Sequence, residues 1–393
     1  MNILYIDHYL GSPSMGMEFR PYYFAREWKK LGHKVLCVGA SYSHLRSRQP
    51  EGIGRRDIDG LDFLILKSRP YSGNGIGRVL NMIDFMRGLF TTARKAILEF
   101  SPDVVIASST YTWDNWAAAY YAKKCGAKYV YELHDIWPLS PMELGKMSKW
   151  HPFIWLLQKA ENFACRHADK IISVLPAADK HLSEHGMCSQ QFAVVPNGVL
   201  PEEWQDIELP LCREANKPFT VGYVGGHAIS NALDTFCDAA VRLPNIKFVL
   251  VGKGVEKTRL QEKCKTLANV EFRSPVAKSD IPMTLREFDC LYIGWNRSPL
   301  YRFGISPNKV YDYMMSGLPI VHAVEAANDP VREARCGISV APEDVNALVA
   351  AIEKLRNMPH EDRAVMGMSG HKYVIKNHLI PTLAEMYLDT VIG

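Results

Sequence analysis

Residues 303–320 read Phe-Gly-Ile-Ser-Pro-Asn-Lys-Val-Tyr-Asp-Tyr-Met-Met-Ser-Gly-Leu-Pro-Ile, a run from which an anion-binding helix can be built. Ser306 is a good N-cap type and Pro307 is preset for the first helical position. Gly317 followed by Pro319 stops the helix before a strand. A helix start concentrates unpaired N–H groups and partial positive charge, which suits a diphosphate. Lys309 in that first turn works against the macrodipole, so a bound anion explains it better than helix stability does. Asn308 and Asp312 are four apart and Lys309 and Asp312 three apart, so the three are expected along one edge, with phosphate at one end and ribose hydroxyls at the other. The plainer alternative is a well-capped surface helix with no ligand.

A second candidate lies near the start of the chain, where Gly11-Ser-Pro-Ser-Met-Gly-Met-Glu-Phe-Arg20 leaves an apolar run and opens a helix. Gly16, Glu18 and Arg20 are placed to meet an acceptor or donor phosphates; an ordinary turn with a capping Glu is the competing reading.

Elements of one kind would position both stretches. Apolar runs at 3–7, 35–40, 63–67, 104–108, 129–133, 171–174 and 193–196 alternate with helical patterns, as do later runs at 220–225, 248–252, 270–274, 291–295, 320–324 and 338–341. Strands alternating with helices imply βαβ units and parallel sheets, hence an α/β fold. At 393 residues, with 47% hydrophobic and 22% charged residues, the chain has material for two cores. The turn-rich text after Pro196 marks the boundary. We expect a Rossmann-like domain over 1–200, a second over 201–371, and a helix within 372–393 returning to the first. Ligands of such sheets bind outside the carboxyl ends of the strands.

The run Ser-Pro-Asn-Lys-x-x-Asp-Tyr-Met-x-x-Gly-x-Pro-Ile resembles the donor-site signature of glycosyltransferase family 4. The resemblance implies the GT-B fold, two Rossmann-like domains facing across a cleft. It places Asp312 at the second acid of the family's E-x7-E motif, holding the ribose, with Ile305, Ser306, Asn308 and Lys309 beside the diphosphate and sugar. Gly304 stands where the first Glu is usual. Gly225, Gly226, His227 and Asn231 occupy the family's glycine-rich donor turn, without its usual Arg and Lys, so Arg302 or Lys309 is the cation for the leaving diphosphate. Gly252 and Lys253, and Val276, resemble the nucleotide-side loops. Tyr131-Glu-Leu-His-Asp-Ile-Trp-Pro138 resembles a strand-end element of bacterial relatives in which His134 and Asp135 face the cleft as catalytic candidates.

Tyr5-Ile-Asp-His-Tyr9 with Gly16-Met-Glu-Phe-Arg-Pro-Tyr-Tyr23 is similar to the N-acetyl-L-fucosaminyl transferases of bacterial O-antigen assembly. That subgroup implies a UDP-linked amino sugar as donor, an undecaprenyl-diphosphate-linked N-acetylhexosamine as acceptor, retention of configuration, and no metal or other cofactor. Neither an Asp-x-Asp element nor a compact His or Cys ligand cluster is evident in the sequence. Four Lys or Arg between Leu144 and His167 (Lys146, Lys149, Lys159, Arg166), interleaved with Trp150, Phe153, Trp155 and Phe163, suit an interfacial segment, so peripheral contact with the inner face of the membrane is expected. Nine scattered cysteines, no export signal and no apolar stretch long enough to span point to the cytoplasm. Lys plus Arg exceed Asp plus Glu only by 46 to 42, too little to argue for nucleic acid. A dinucleotide oxidoreductase is disfavoured because no G-x-G-x-x-G opens the first helix. A non-catalytic sugar-nucleotide-binding scaffold is the remaining alternative, suggested by Gly304.

Overall fold

The computed structural model describes residues 1–16, 19–205, 207 and 217–393. Its central strands follow from short runs of Val, Ile, Leu and Tyr that are buried on both faces, as parallel strands between helices must be. In the first unit they are β1 (Asn2–Ile6), β2 (Lys34–Ala40), β3 (Gly54–Ile58), β4 (Leu61–Leu66), β5 (Val104–Ala107), β6 (Lys128–Leu133), β7 (Lys170–Ser173) and β8 (Phe192–Val194). They form one sheet in the order β3-β4-β2-β1-β5-β6-β7-β8. All pairings are parallel except the β3–β4 hairpin, closed by Asp59 and Gly60, both at positive φ.

The second unit holds β9 (Thr220–Val224), β10 (Lys247–Val251), β11 (Val270–Arg273), β12 (Cys290–Gly294), β13 (Ile320–Ala323) and β14 (Gly337–Val340), ordered β11-β10-β9-β12-β13-β14 and parallel throughout. Chain order reverses at β1 in the first sheet and at β9 in the second. Such reversals splay the flanking loops apart and open a crevice at the carboxyl end of the strand. Two apolar clusters belong to the second sheet, one centred on Phe236, Phe248 and Tyr292 and the other on Val249, Ile293 and Tyr313.

The chain divides into residues 1–196 with 380–393, and 197–379. The change of unit thus falls at Pro196 and again at Leu379, not at 200 and 371. The returning segment is a helix, Ile380–Ile392, separate from the preceding His360–Asn377. Its Tyr387 packs on Phe24 and Trp28, and the Trp28 indole donates to the Ala384 carbonyl at 2.9 Å. No helix of the described residues is long and apolar enough to cross a membrane.

Candidate functional site

The reversal at β9 gathers three segments of the second unit: the glycine turn after β9, the loop after β10, and the helix Asn308–Met315. The two loops lock together. Gly225 N donates to the Val251 carbonyl (2.9 Å) and His227 N to the Lys253 carbonyl (2.8 Å). A Cβ on Gly252, whose φ is +146°, would come within 2.0 Å of the Gly225 carbonyl oxygen, so only glycine lets the loops approach this closely.

Onto this platform Lys309 extends its ammonium, donating to Asn231 Oδ1 at 2.7 Å and to the Tyr223 hydroxyl at 3.0 Å. Both acceptors are themselves buried and committed: the Tyr223 hydroxyl and the Asn231 amide each donate to the Gly226 carbonyl. Both are neutral, and no carboxylate pairs with Lys309 among the described residues. Burial lowers its pKa from the usual 10.5 to about 8. A part-buried cation without a carboxylate partner has the chemistry to receive an anion.

Asp312, expected on the same edge, faces a different partner. Its two oxygens accept from Lys278 Nζ at 2.6 and 2.7 Å, and Glu203 lies 3.5 Å from the same ammonium. Burial alone would lower the Lys278 pKa, but Asp312 and then Glu203 outweigh it and raise it. A carboxylate offers about four lone-pair positions, so Asp312 keeps acceptor capacity for a hydroxyl beside Lys278.

Several expectations need correction. Ser306 does not cap the helix, which begins at Asn308 after an extended Pro307. Its hydroxyl instead accepts from Asn197 N (2.9 Å), while the Asn197 side chain donates to the Ser306 carbonyl. Asn197, within the Pro-Asn-Gly run read only as a boundary, therefore fixes the approach to the helix. The Ile305 amide and carbonyl are both taken by the Asn328 side chain, at 2.7 and 3.0 Å. His227 is wholly buried, with neither ring nitrogen hydrogen-bonded, and its pKa falls to about 4 through burial and then the charges of Lys257 and Lys309. It is therefore neutral near physiological pH and leaves the cationic role to Arg302 or Lys309. Arg302 is exposed, donates to the Pro299 carbonyl and lies over the Phe303 ring, so Lys309 is the residue in contact with the glycine turn. Gly304 has φ +100°, a conformation that disfavours the Glu usual there. Gly226, Lys253, Val276 and Asn308 remain open to a ligand.

In the first unit His134 and Asp135, adjacent just beyond β6, take separate partners. The Asp135 carboxylate accepts from Ile136 N, the Trp137 indole and Ser140 Oγ, bracing the turn after β6. His134 turns to Glu132, 3.4 Å away, and to Ser108 Oγ at 2.8 Å. Glu132, which the sequence reading passed over, is the hub. Fully buried, it accepts from Arg20 Nε (3.0 Å), Ser108 Oγ (2.7 Å) and the Tyr5 hydroxyl. Burial pushes its pKa upward, but the Arg20 guanidinium and then His134 more than reverse this and hold it well below the carboxylate range. Arg20 also donates to the Val195 and Pro196 carbonyls, so it braces the unit instead of waiting for an acceptor. Gly16 packs against Ser47, and Glu18 lies outside the described residues.

Residues 15–203 match the family model described as Glycosyltransferase Family 4, and residues 218–357 the one described as Glycosyl transferases group 1. The chain is a two-domain glycosyltransferase. No curated protein matches the sequence of this glycosyltransferase. Among solved structures, sucrose-phosphate synthase from Thermosynechococcus elongatus is similar over 99% of this chain and 97% of its own, at 15% identity and a TM-score of 0.75. HepE from Anabaena, in complex with UDP and glucose, is similar over 100% and 99% at 18% identity and a TM-score of 0.68. WaaG, a glycosyltransferase involved in lipopolysaccharide biosynthesis, covers 100% and 99% at 15% identity and a TM-score of 0.69. These likenesses establish the GT-B fold for the glycosyltransferase.

Proposed function

We propose that this glycosyltransferase takes a sugar from a UDP-linked donor, with N-acetyl-L-fucosamine or a related amino sugar as the transferred group. The acceptor in this reading is an undecaprenyl-diphosphate-linked N-acetylhexosamine at the inner face of the cytoplasmic membrane, in O-antigen or capsule assembly. The observation that carries the donor assignment is Lys309, part-buried against the glycine turn with neutral hydrogen-bond partners only among the described residues. The HepE structures with UDP and with UDP-glucose support a uridine diphosphate as the anion.

Breaking the bond between an anomeric carbon and a diphosphate develops negative charge on the leaving oxygen. Lys309, with the Asn308 and Lys309 amides at the start of Asn308–Met315, is placed to offset that charge, and water excluded from the site strengthens the effect. Asp312 would accept from the ribose. Retention fits a pathway in which the departing phosphate oxygen takes the acceptor's proton, and it requires neither a protein nucleophile nor a metal. In the first unit Glu132 and Ser108 orient His134, whose ring is part-exposed at the end of β6.

Membrane contact is part of the same reading. Trp150 is 80% exposed and Trp155 52%, with Lys149 and Lys159 over their rings at 5.2 and 3.6 Å. Phe153 does not join them, packing instead against Trp113 and Trp137.

The deciding experiment is UDP release from a panel of UDP-sugars, including UDP-N-acetyl-L-fucosamine, with and without a lipid-diphosphate N-acetylglucosamine acceptor. Acceptor-dependent release from one donor identifies the sugar. Silence across the panel with no UDP binding overturns the donor assignment.

A further inference from the structure

The first unit carries a side-chain cluster that the transfer reaction does not use. Glu161, on the helix Pro152–His167, faces two histidines: His181, on the short helix Asp179–Glu184, and His185, the residue just beyond its end. One oxygen of Glu161 lies 3.0 Å from His181 Nε2 and the other 3.9 Å from His185 Nε2; one ligand atom from each of the three residues can be chosen so that all lie within 4.8 Å of one another. Two ligands bound to one tetrahedral zinc at ordinary lengths stand about 3.4 Å apart, so these separations need only small rotations to close on an ion.

Charge supplies the second argument. Glu161 is 0% exposed, and among the described residues no Lys or Arg pairs with it. Its other partner is the Gln158 amide, at 2.7 Å, which is neutral. A buried carboxylate with no Lys or Arg beside it is costly, and a divalent cation compensates it.

We propose that Glu161, His181 and His185 form a binding site for one divalent transition-metal ion of the zinc type, distinct from the donor site. Two imidazoles and a carboxylate are a donor set suited to such an ion, with a fourth position left for water. Bound there, the ion ties the helix Pro152–His167 to the segment that follows β7, and so organises the element that bears Trp155. The four-residue spacing of His181 and His185 is the sequence signal for it.

The test is Zn2+ titration of the full chain after chelator stripping, followed by calorimetry, with Co2+ as an optical probe. The wild type should bind one ion per chain and give the visible absorption of tetrahedral Co2+. His181→Gln and His185→Gln should each weaken binding at least about tenfold and abolish the Co2+ spectrum, with far-UV circular dichroism and UDP affinity retained. If His181→Gln does not fold, His185→Gln carries the test, since its side chain is 24% exposed. Absence of binding, or binding that survives both substitutions because cysteines hold the ion, overturns the site.

Discussion

At the scale of single residues, Lys309 ties the structure to a measurable chemistry. In the free protein its pKa is lowered to about 8, so above that pH the ammonium loses its proton. A bound diphosphate favours the charged form and must raise that pKa. UDP affinity should therefore be level below pH 8 and fall above it, by at most about tenfold per pH unit, until the pKa of the complex is reached. From roughly pH 7.5 upward the terminal phosphate of UDP is already ionised, so the fall reports the protein. Calorimetric titration across pH 7.5 to 9.5 checks this, and proton uptake near pH 8 should show as a dependence on buffer ionisation heat. Lys309→Met should remove the pH dependence and weaken UDP binding by about 10- to 100-fold, the worth of a charge-assisted hydrogen bond. An unchanged affinity would place the donor site elsewhere.

At the scale of elements, the turn leading into Asn308–Met315 accounts for the glycine at the family's first acidic position. Gly304 sits at φ +100°, where a side chain costs about 1–3 kcal/mol. Gly304→Glu should therefore lower stability by that amount in urea unfolding and should not raise transfer activity; a more active variant would show the missing acid to be a loss. The parallel strands were legible because burial on both faces makes them apolar runs. Strand β3 was not, since Arg55, Arg56 and Asp57 are exposed on an edge strand and leave no such run, although the Asp59-Gly60 turn announced the hairpin. The helix Asn308–Met315 was legible in composition, but its start was displaced because Ser306 is taken by Asn197, a partner 109 residues away that local spacing cannot reveal. What His134 and Asp135 hold was not legible, because they follow β6, which ends at Leu133, and turn to different partners: His134 to Glu132 and Ser108, Asp135 to the turn that follows it.

At the scale of the whole molecule, the lipid-linked acceptor proposed above calls for a membrane contact, while no helix of the described residues is long and apolar enough to cross a membrane. Net charge is only +4, so attraction to an anionic surface must come from local groups. Leu144, Trp150, Trp155 and Leu156 are all exposed in one stretch that also carries Lys149 and Lys159. Aromatic rings with adjacent ammonium groups suit the headgroup region, where the ring is half-desolvated and the cation meets phosphate. Each Lys near an anionic surface contributes about 1 kcal/mol, so Lys149→Gln with Lys159→Gln should weaken binding to vesicles containing anionic lipid by about 30-fold. Trp150→Ser with Trp155→Ser should weaken it at every lipid charge, because that contribution is apolar burial. Salt should oppose the lysine contribution and leave the tryptophan contribution. Co-sedimentation with anionic and zwitterionic vesicles at two ionic strengths separates the two. A wild-type chain that stays in the supernatant under all four conditions would assign these rings to a protein partner, and the acceptor would then have to be delivered by that partner.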